Sequence, residues 1–569
     1  MIGVIAKPGQ AEVVEEFFEL FKTPWEIYRP GRAYDVVIAT SDLIAEVKTK
    51  LLIIYGRGRK SIDSRLGIVA HGEHCRDVLT IGNKFLPIYC GLLTFADDSG
   101  GVSFVKAGSE TVGLRIGAAD STVLRLGYDL FDEIQSLLTA GQPVEHAHVP
   151  TLEIHIQILR ECIIGAGIPL LEIPPVAAGH NFAVCLTHDI DFVGIRRHKL
   201  DHTMWGFVYR ATVGAVRNAI RGRLAWSRLM RSWQAAVSLP LVYAGWAKDF
   251  WEPFEWYLKV EEGLPATYFL IPFKRRAGEK VPGRHASRRA TAYDIGELSE
   301  SANMLHQHGC ELGVHGIDAW HDSDRGKKEL AAVTAVAGRS STGIRMHWLL
   351  QDENTPRILD QAGYAYDSTC GYNETVGYRA GTSQVFSPFR VQTLLELPLH
   401  IQDGALFYPQ RLDLSEQEAE KRCQALIDNA REFGGVLTLL WHDRSHAAER
   451  FWGDFYIKLL RVLKARDVWF GTAAEVVAWF RKRRAARFEL AEEPVASSRM
   501  RIRYEGEEIH PPLRIRFHRP VNRREDGQPG GEVAGTFVDF SWDGKSPCEL
   551  DAGSGSLTTL PDLAFSLPK

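Results

Sequence analysis

Between residues 182 and about 490, short apolar runs recur, and each ends in polar or ionisable side chains. They read FAVCLTHD from Phe182, ATYFLIPF from Ala266, CELGVH from Cys310, TGIRMHW from Thr342, AYDST from Ala365, LELPLH from Leu395 and VLTLLWHD from Val436. Runs of this length suit buried strands. Between several of them lie stretches with helical periodicity, such as KKELAAVTAVAG and EQEAEKRCQALIDNAREFG. Strand followed by helix followed by strand predicts parallel pairing, because a parallel neighbour needs a long crossover. Ligands of such sheets bind at the carboxyl ends of the strands. The charged residues that close each apolar run are therefore placed where a site would be built.

The flanking regions differ. Residues 1–175 begin MIGVIA, continue with the helical pattern QAEVVEEFFELFKT, and alternate short β-rich runs with further helices, which predicts an α/β domain of unknown role. Prolines at 169, 174 and 175 close it like a linker. The central domain spans 176–490 and carries an insertion near 203–258, rich in Trp, Arg and Ala. Its helices have one apolar and one basic face. Two readings stand: a helical cap on the barrel, or a peripheral contact with a membrane surface. After AEEPVASS, which reads as a linker, residues 495–569 predict a small β-rich domain.

Composition narrows the class. The chain has 569 residues, 45% hydrophobic and 24% charged, with a formal net charge of -4. This is an ordinary globular balance, and it lacks the basic excess expected of a nucleic-acid-binding protein. None of the eight cysteines forms a C-x-x-C pair, and several lie inside apolar runs, as buried thiols in a reducing compartment do. No stretch reads as a signal peptide or a membrane span, so the expected location is cytoplasmic.

The candidate chemistry starts at THDID. Residues two apart on a strand face the same side, so Asp189 and Asp191 can share a cavity. Two such close carboxylates call for a cation, which leaves one of them free to act as a base. In ELGVHGIDAWHD, His315 ends a strand and His321 lies six residues on, before a helix that starts near Asp322. Asp191, His315 and His321, converging from strand ends, would make a three-ligand site with an open fourth position. Arg345 could pair with the free carboxylate or form a structural salt bridge. His442 suits a proton donor, or a buried histidine bonded to a carbonyl. Trp320, Trp348 and Trp441 could stack on a sugar ring or pack in the core. Arg379 could meet a phosphate or close its own loop.

Taken in order, these motifs resemble the polysaccharide deacetylases, carbohydrate esterase family four, over about residues 182–480. The similar features are the Asp-x-Asp after the first strand, ATYFL as the next strand, Gly-Val-His at the third, a strand with Arg345, and a last strand ending at His442. Here Ile190 separates the two aspartates, and the two histidines stand six apart where the family usually has four. The resemblance implies a distorted (β/α) barrel. It implies Asp189 as catalytic base, Arg345 as the residue that orients it, His442 as general acid, and Asp191, His315 and His321 as metal ligands. Either Asp367 or Asp403 would support His442. The implied cofactor is a divalent metal ion, zinc first, with cobalt, manganese or iron as alternatives.

The expected activity is metal-dependent removal of an acetyl group from an N-acetylated sugar or glycan precursor, with Trp348, Trp441 and Arg379 on the substrate. Two other readings remain: the same barrel cutting a non-sugar or cyclic amide, and a non-catalytic scaffold in polysaccharide synthesis.

Overall fold

The computed structural model describes residues 1–42, 47–118, 121–222, 224–280, 289–338, 342–490, 499–520, 536–551 and 556–559. The AEEPVASS linker and the glycine-rich loop at 525–535 lie outside them. The chain divides into two compact units, Met1–Gly179 with Ala380–Thr382 and Trp479–Lys569, and His180–Arg379 with Ser383–Ala478.

The first unit is built on an eleven-stranded sheet. Five parallel strands, among them Ile2–Ile5, Val36–Ala39 and Leu51–Tyr55, run through Ser121–Leu126 into an antiparallel half. The sequence predicts a separate β domain over 495–569. In the structure Leu513–Arg519 instead pairs antiparallel with Leu170–Glu172, and Arg499–Arg503 lies in a second, four-stranded sheet. The reason is chemical as well as steric. Buried Glu172 accepts from Arg160 at 2.9 Å and faces His518 Nε2 at 2.8 Å, so one carboxylate ties strands far apart in sequence.

The second unit holds nine strands: β1 (Phe182–Ile190), β2 (Ala266–Leu270), β3 (Glu311–Gly316), β4 (Ile344–Met346), β5 (Tyr366–Asp367), β6 (Leu395–Glu396), β7 (Ile401–Gln402), β8 (Val436–Leu440) and β9 (Val468–Phe470). All pairings are parallel, in the order β6-β5-β4-β3-β2-β1-β8-β7, with β9 beside the start of β1. The outer strands β6 and β7 are not paired with each other. The sheet is thus a curled, open half-barrel within an α/β unit. β1 is buried at all nine positions, as a central parallel strand covered on both faces must be.

Local chemistry fixes the connections. Asp322 caps the helix Ser323–Ala337 by accepting from the amides of Asp324 and Arg325, and Gly338 ends it in the left-handed region at φ 65°. A Ser415–Glu418 capping box starts Glu416–Phe433, which buries Ala419, Cys423, Leu426, Ile427 and Ala430 on one face. Gly343, just before β4, lies under the ring of Tyr366. A Cβ there would come within 1.9 Å of that ring, so only glycine lets β4 and β5 approach.

The insertion forms α1 (His202–Tyr209), a π-turn over Arg210–Gly214, α2 (Ala215–Ile220) and α3 (Trp226–Tyr243). Met204, Phe207, Ala211, Leu239 and Val242 pack with Trp251 and with Ala447 of the loop after β8, which is the cap reading. The opposite face is open to solvent. No helix among the described residues is long and apolar enough to cross a membrane.

The Glu172 cluster gives a pH test. Burial raises its pKa, but the Arg160 charge and the His518 contact outweigh it and hold the carboxyl down at about 2, against 4.5 ordinarily. A depressed folded-state pKa stabilises fully above about pH 4.5 and is lost as pH falls toward 2, roughly 3 kcal/mol over that window. In urea unfolding followed by circular dichroism, Glu172→Gln should be less stable at pH 7 and flatter between pH 4.5 and 3. Parallel loss in both proteins would refute the linkage.

Candidate active site

Thr187, Asp189 and Asp191 alternate to one side of β1 and its end, and Asp189 and Asp191 line a cavity of about 920 Å³. Arg345 of β4 is fully buried beneath it. Its guanidinium donates to Asp189 Oδ1 at 3.0 Å, Thr187 Oγ1 at 2.7 Å, Ser368 O at 3.0 Å and Ser368 Oγ at 2.9 Å, and lies over Phe269 at 4.5 Å. Neither of the two readings left open for it is discarded. It is a buried ion pair, and its partner is the carboxylate assigned as base.

His315 stands beside Arg345 in register. Its Nδ1 donates to the carbonyl of Arg345 at 2.9 Å, which turns Nε2 to the cavity; burial opposes charging of the ring, but Asp189 and Asp191 raise its pKa. Nε2 lies 3.5 Å from Asp191 Oδ1 and 3.7 Å from Asp189 Oδ2.

The second imidazole at Asp191 is His347, not His321. His347 Nε2 is 3.5 Å from Asp191 Oδ1, and one donor atom each from Asp191, His315 and His347 lie within 4.8 Å of one another. Burial lowers the pKa of His347 to about 3, so its ring is neutral and able to ligate. His321 is turned away: its Nε2 sits 3.5 Å from Asp318 and Glu279, and it does not line the cavity. The loop after β3 is anchored by Glu329, which accepts from the amides of Ile317 and Asp318, and it carries His321 outward. The signal for His347 was present in the sequence. It follows Arg345 by two residues, the same spacing that unites Asp189 and Asp191.

The donor set fits a divalent ion. Asp191 Oδ1 is buried without a hydrogen-bond partner, two neutral-capable imidazoles aim at it, and the cluster opens on the cavity. Residues Trp348 and Leu349, directly after His347, hold φ of 64° and 52°. Non-glycine residues in this region cost on the order of 1 kcal/mol each. That strain turns the chain so that His347 and Trp348 both reach the cavity.

Across the cavity His442 follows β8. Its Nδ1 lies 2.6 Å from Asp403 Oδ1 and its amide donates to Asp403 Oδ2 at 2.8 Å, while the Ser445 hydroxyl also donates to Asp403. Burial opposes charging of His442, but Asp403, with Asp191 and Asp189 beyond it, pushes its pKa up to about 10. Asp403 is therefore the carboxylate behind His442. Asp367 instead accepts from Thr369, and burial raises its pKa to about 6.

The substrate-facing residues divide. Trp348 lines the cavity. Trp441 does not: it is fully buried against Phe455 and Tyr456, because neighbours on a strand point to opposite faces and His442 takes the cavity side. Trp320 packs on the core. Arg379 reaches the Gly371 carbonyl at 3.5 Å and the Tyr372 ring, outside the cavity lining. Sequence reading passed over Asp443, whose Oδ2 accepts from the amides of Phe192 and Val193 at 2.6 and 3.2 Å and so joins the loops after β1 and β8.

No protein-family model and no curated protein matches the chain. Solved structures do. A protein of Mycobacterium smegmatis assigned as a polysaccharide deacetylase is similar at 18% identity, covering 57% of this chain and 100% of that one, with a TM-score of 0.33. Puue allantoinase is similar at 12% identity over 54% of this chain and 92% of its own, TM-score 0.33. A protein of Pseudomonas aeruginosa PAO1, also assigned as a polysaccharide deacetylase, is similar at 12% over 53% and 92%, TM-score 0.32.

Metal analysis distinguishes the two histidines. We expect about one divalent ion per chain, with His347→Ala weakening it about 100-fold or more and His321→Ala leaving it bound. The reverse pattern in titration calorimetry would remove His347 from the cluster.

Proposed function

We propose that the half-barrel hydrolyses the acetyl group of an N-acetylated sugar or glycan precursor, with a divalent ion held by Asp191, His315 and His347. Two imidazoles and a carboxylate suit zinc first, and cobalt, manganese or iron as well. The observation that carries the reading is the division of labour around one cavity: a carboxylate clamped by Arg345 beside the three donors, and a carboxylate-backed histidine among the lining residues.

Such an ion, when bound, polarises an acyl carbonyl and brings the pKa of water from 15.7 toward ~7. The chain supplies the rest. Arg345 occupies Asp189 Oδ1, which leaves Oδ2 directed at the cluster, 3.7 Å from His315 Nε2, to take the proton of an attacking water. The bond from Arg345 to Oδ1 fixes the rotamer of Asp189. Asp403 holds the Nδ1 proton of His442, so its Nε2–H faces the cavity. An amide nitrogen departs only when protonated, and a histidine held in its charged form by Asp403 can donate that proton. Trp348, on the cavity wall, offers an aromatic face to the sugar ring.

Acetate release from N-acetylated sugars tests the assignment. Asp189→Asn should lower kcat by about 10²–10⁴ while the ion stays bound. His442→Ala and Asp403→Asn should each lower kcat more than they raise KM. Near-wild-type turnover in Asp189→Asn would end the base assignment.

A further inference from the structure

The cavity is strongly cationic. Among the described residues lining it, eight are Arg or Lys and three are Asp, with no Glu. Asp191 belongs to the metal cluster, Asp189 is held by Arg345, and Asp201 holds His198 at 2.7 Å. Arg197 and Lys274 share Glu297. Three lining guanidiniums are left without a hydrogen-bonded acceptor, and of these Arg275 is open to solvent. Arg444 is clamped over Phe192 at 3.9 Å and Trp251 at 5.1 Å. Arg210 opens the π-turn of the insertion. Its Nε and one terminal nitrogen are buried without a hydrogen-bond partner, and the nearest carboxylate, Glu449, is 4.0 Å away. Arg450, behind them, is taken by the Tyr408 hydroxyl at 2.7 Å. Burying guanidinium donors without acceptors, as at Arg210, is unfavourable. An oxyanion that accepts from both would reverse that cost through charge-assisted, forked bonds.

We infer that Arg210 and Arg444 form an anion subsite for a phosphate ester carried by the sugar. This rests on the deacetylase reading for its orientation: the acyl group lies at the metal donors, the sugar amine at His442, and Arg444 stands two residues beyond His442. The anion therefore belongs to the sugar side of the scissile bond. A nucleoside diphosphate sugar and a polyprenyl diphosphate sugar share this chemistry.

The metal-loaded protein would be assayed for acetate release from free N-acetylhexosamine, its 1-phosphate, a nucleoside diphosphate form and a short polyprenyl diphosphate form. In parallel, calorimetry would measure binding of the hexosamine 1-phosphate that lacks the acetyl group. The phosphorylated sugars should exceed the free sugar in kcat/KM by at least about 100-fold. Arg444→Gln and Arg210→Gln should shrink that ratio to within about threefold and weaken the 1-phosphate at least about tenfold. Arg444→Lys, which keeps the charge and loses the fork, should fall between and covers a poorly folding Gln variant. The better of the two diphosphate arms names the source. No gain from phosphate in either readout overturns the subsite. Arg444-dependent binding without acetate release from any sugar would keep the subsite and refute the deacetylase reading.

A second observation stands apart from that site. Of 17 exposed large apolar side chains among the described residues, 11 lie between Leu200 and Trp246, including Trp205, Trp226, Trp233 and Trp246. Residues 202–248 contain no acidic side chain. Val213, Val216, Ile220, Trp233 and Val237 line an apolar groove rimmed by Arg217 and Arg221. We propose that this face docks on an anionic lipid surface: tryptophan favours the headgroup boundary, and arginines without acidic neighbours suit a negative leaflet. Flotation with phosphatidylcholine vesicles, with and without about one-third phosphatidylglycerol, tests it. The protein should float with the anionic vesicles only. Ile220→Glu with Val237→Glu should cut partition at least about tenfold with an unchanged circular dichroism melt. Absence of flotation, or a dimer in sedimentation that this double variant dissolves, would overturn it.

Discussion

The site depends on one buried guanidinium. Arg345 reaches from β4 to Thr187 and Asp189 on β1 and to Ser368 beyond β5, while its carbonyl fixes the ring of His315 on β3. A charge sunk this deep is tolerable only when its donors are met, and here side chains and main chain meet them together. The same contacts that satisfy Arg345 set the distance between the carboxylate and the metal donors. The parallel sheet is what brings those four strands, with β2 between β3 and β1, to one site.

The half-barrel form follows from the same economy of contacts. β5, β6 and β7 are two residues long, enough to place Asp367, Glu396 and Gln402 but too short to close a ring. An open edge suits a site whose remaining wall comes from elsewhere. Here the loop after β1 and the insertion that follows it supply that wall, since Arg197, Asp201, Thr203 and Arg210 all border the cavity. Its inner face serves the reaction space and its outer face stays apolar and basic.

Much of this was legible in the chain. Period-two spacing announced Asp189 with Asp191, and apolar runs ending in charge marked the mouth of the sheet. The same rule also contained two answers that motif-matching obscured. It puts His347, one residue past β4, on the side of Arg345, and it sends Trp441 to the core once His442 faces the cavity. His321 was preferred because paired histidines are a familiar ligand pattern, yet the loop between them is held by Glu329, a partner that sequence spacing does not reveal. Asp403 could not be chosen over Asp367 because it lies 39 residues from His442 in the chain, and only the sheet order joins them. The pairing of Leu513–Arg519 with Leu170–Glu172 is of the same kind, a non-local ladder with no local signature.

The contact between His315 Nδ1 and the Arg345 carbonyl has an evolutionary side. Where a ligand's proton is held by a neighbouring carboxylate, one codon change can erase the support. Here the acceptor belongs to the peptide backbone, so point substitution at position 345 leaves it in place. Only a change in the register of β3 against β4 would remove it.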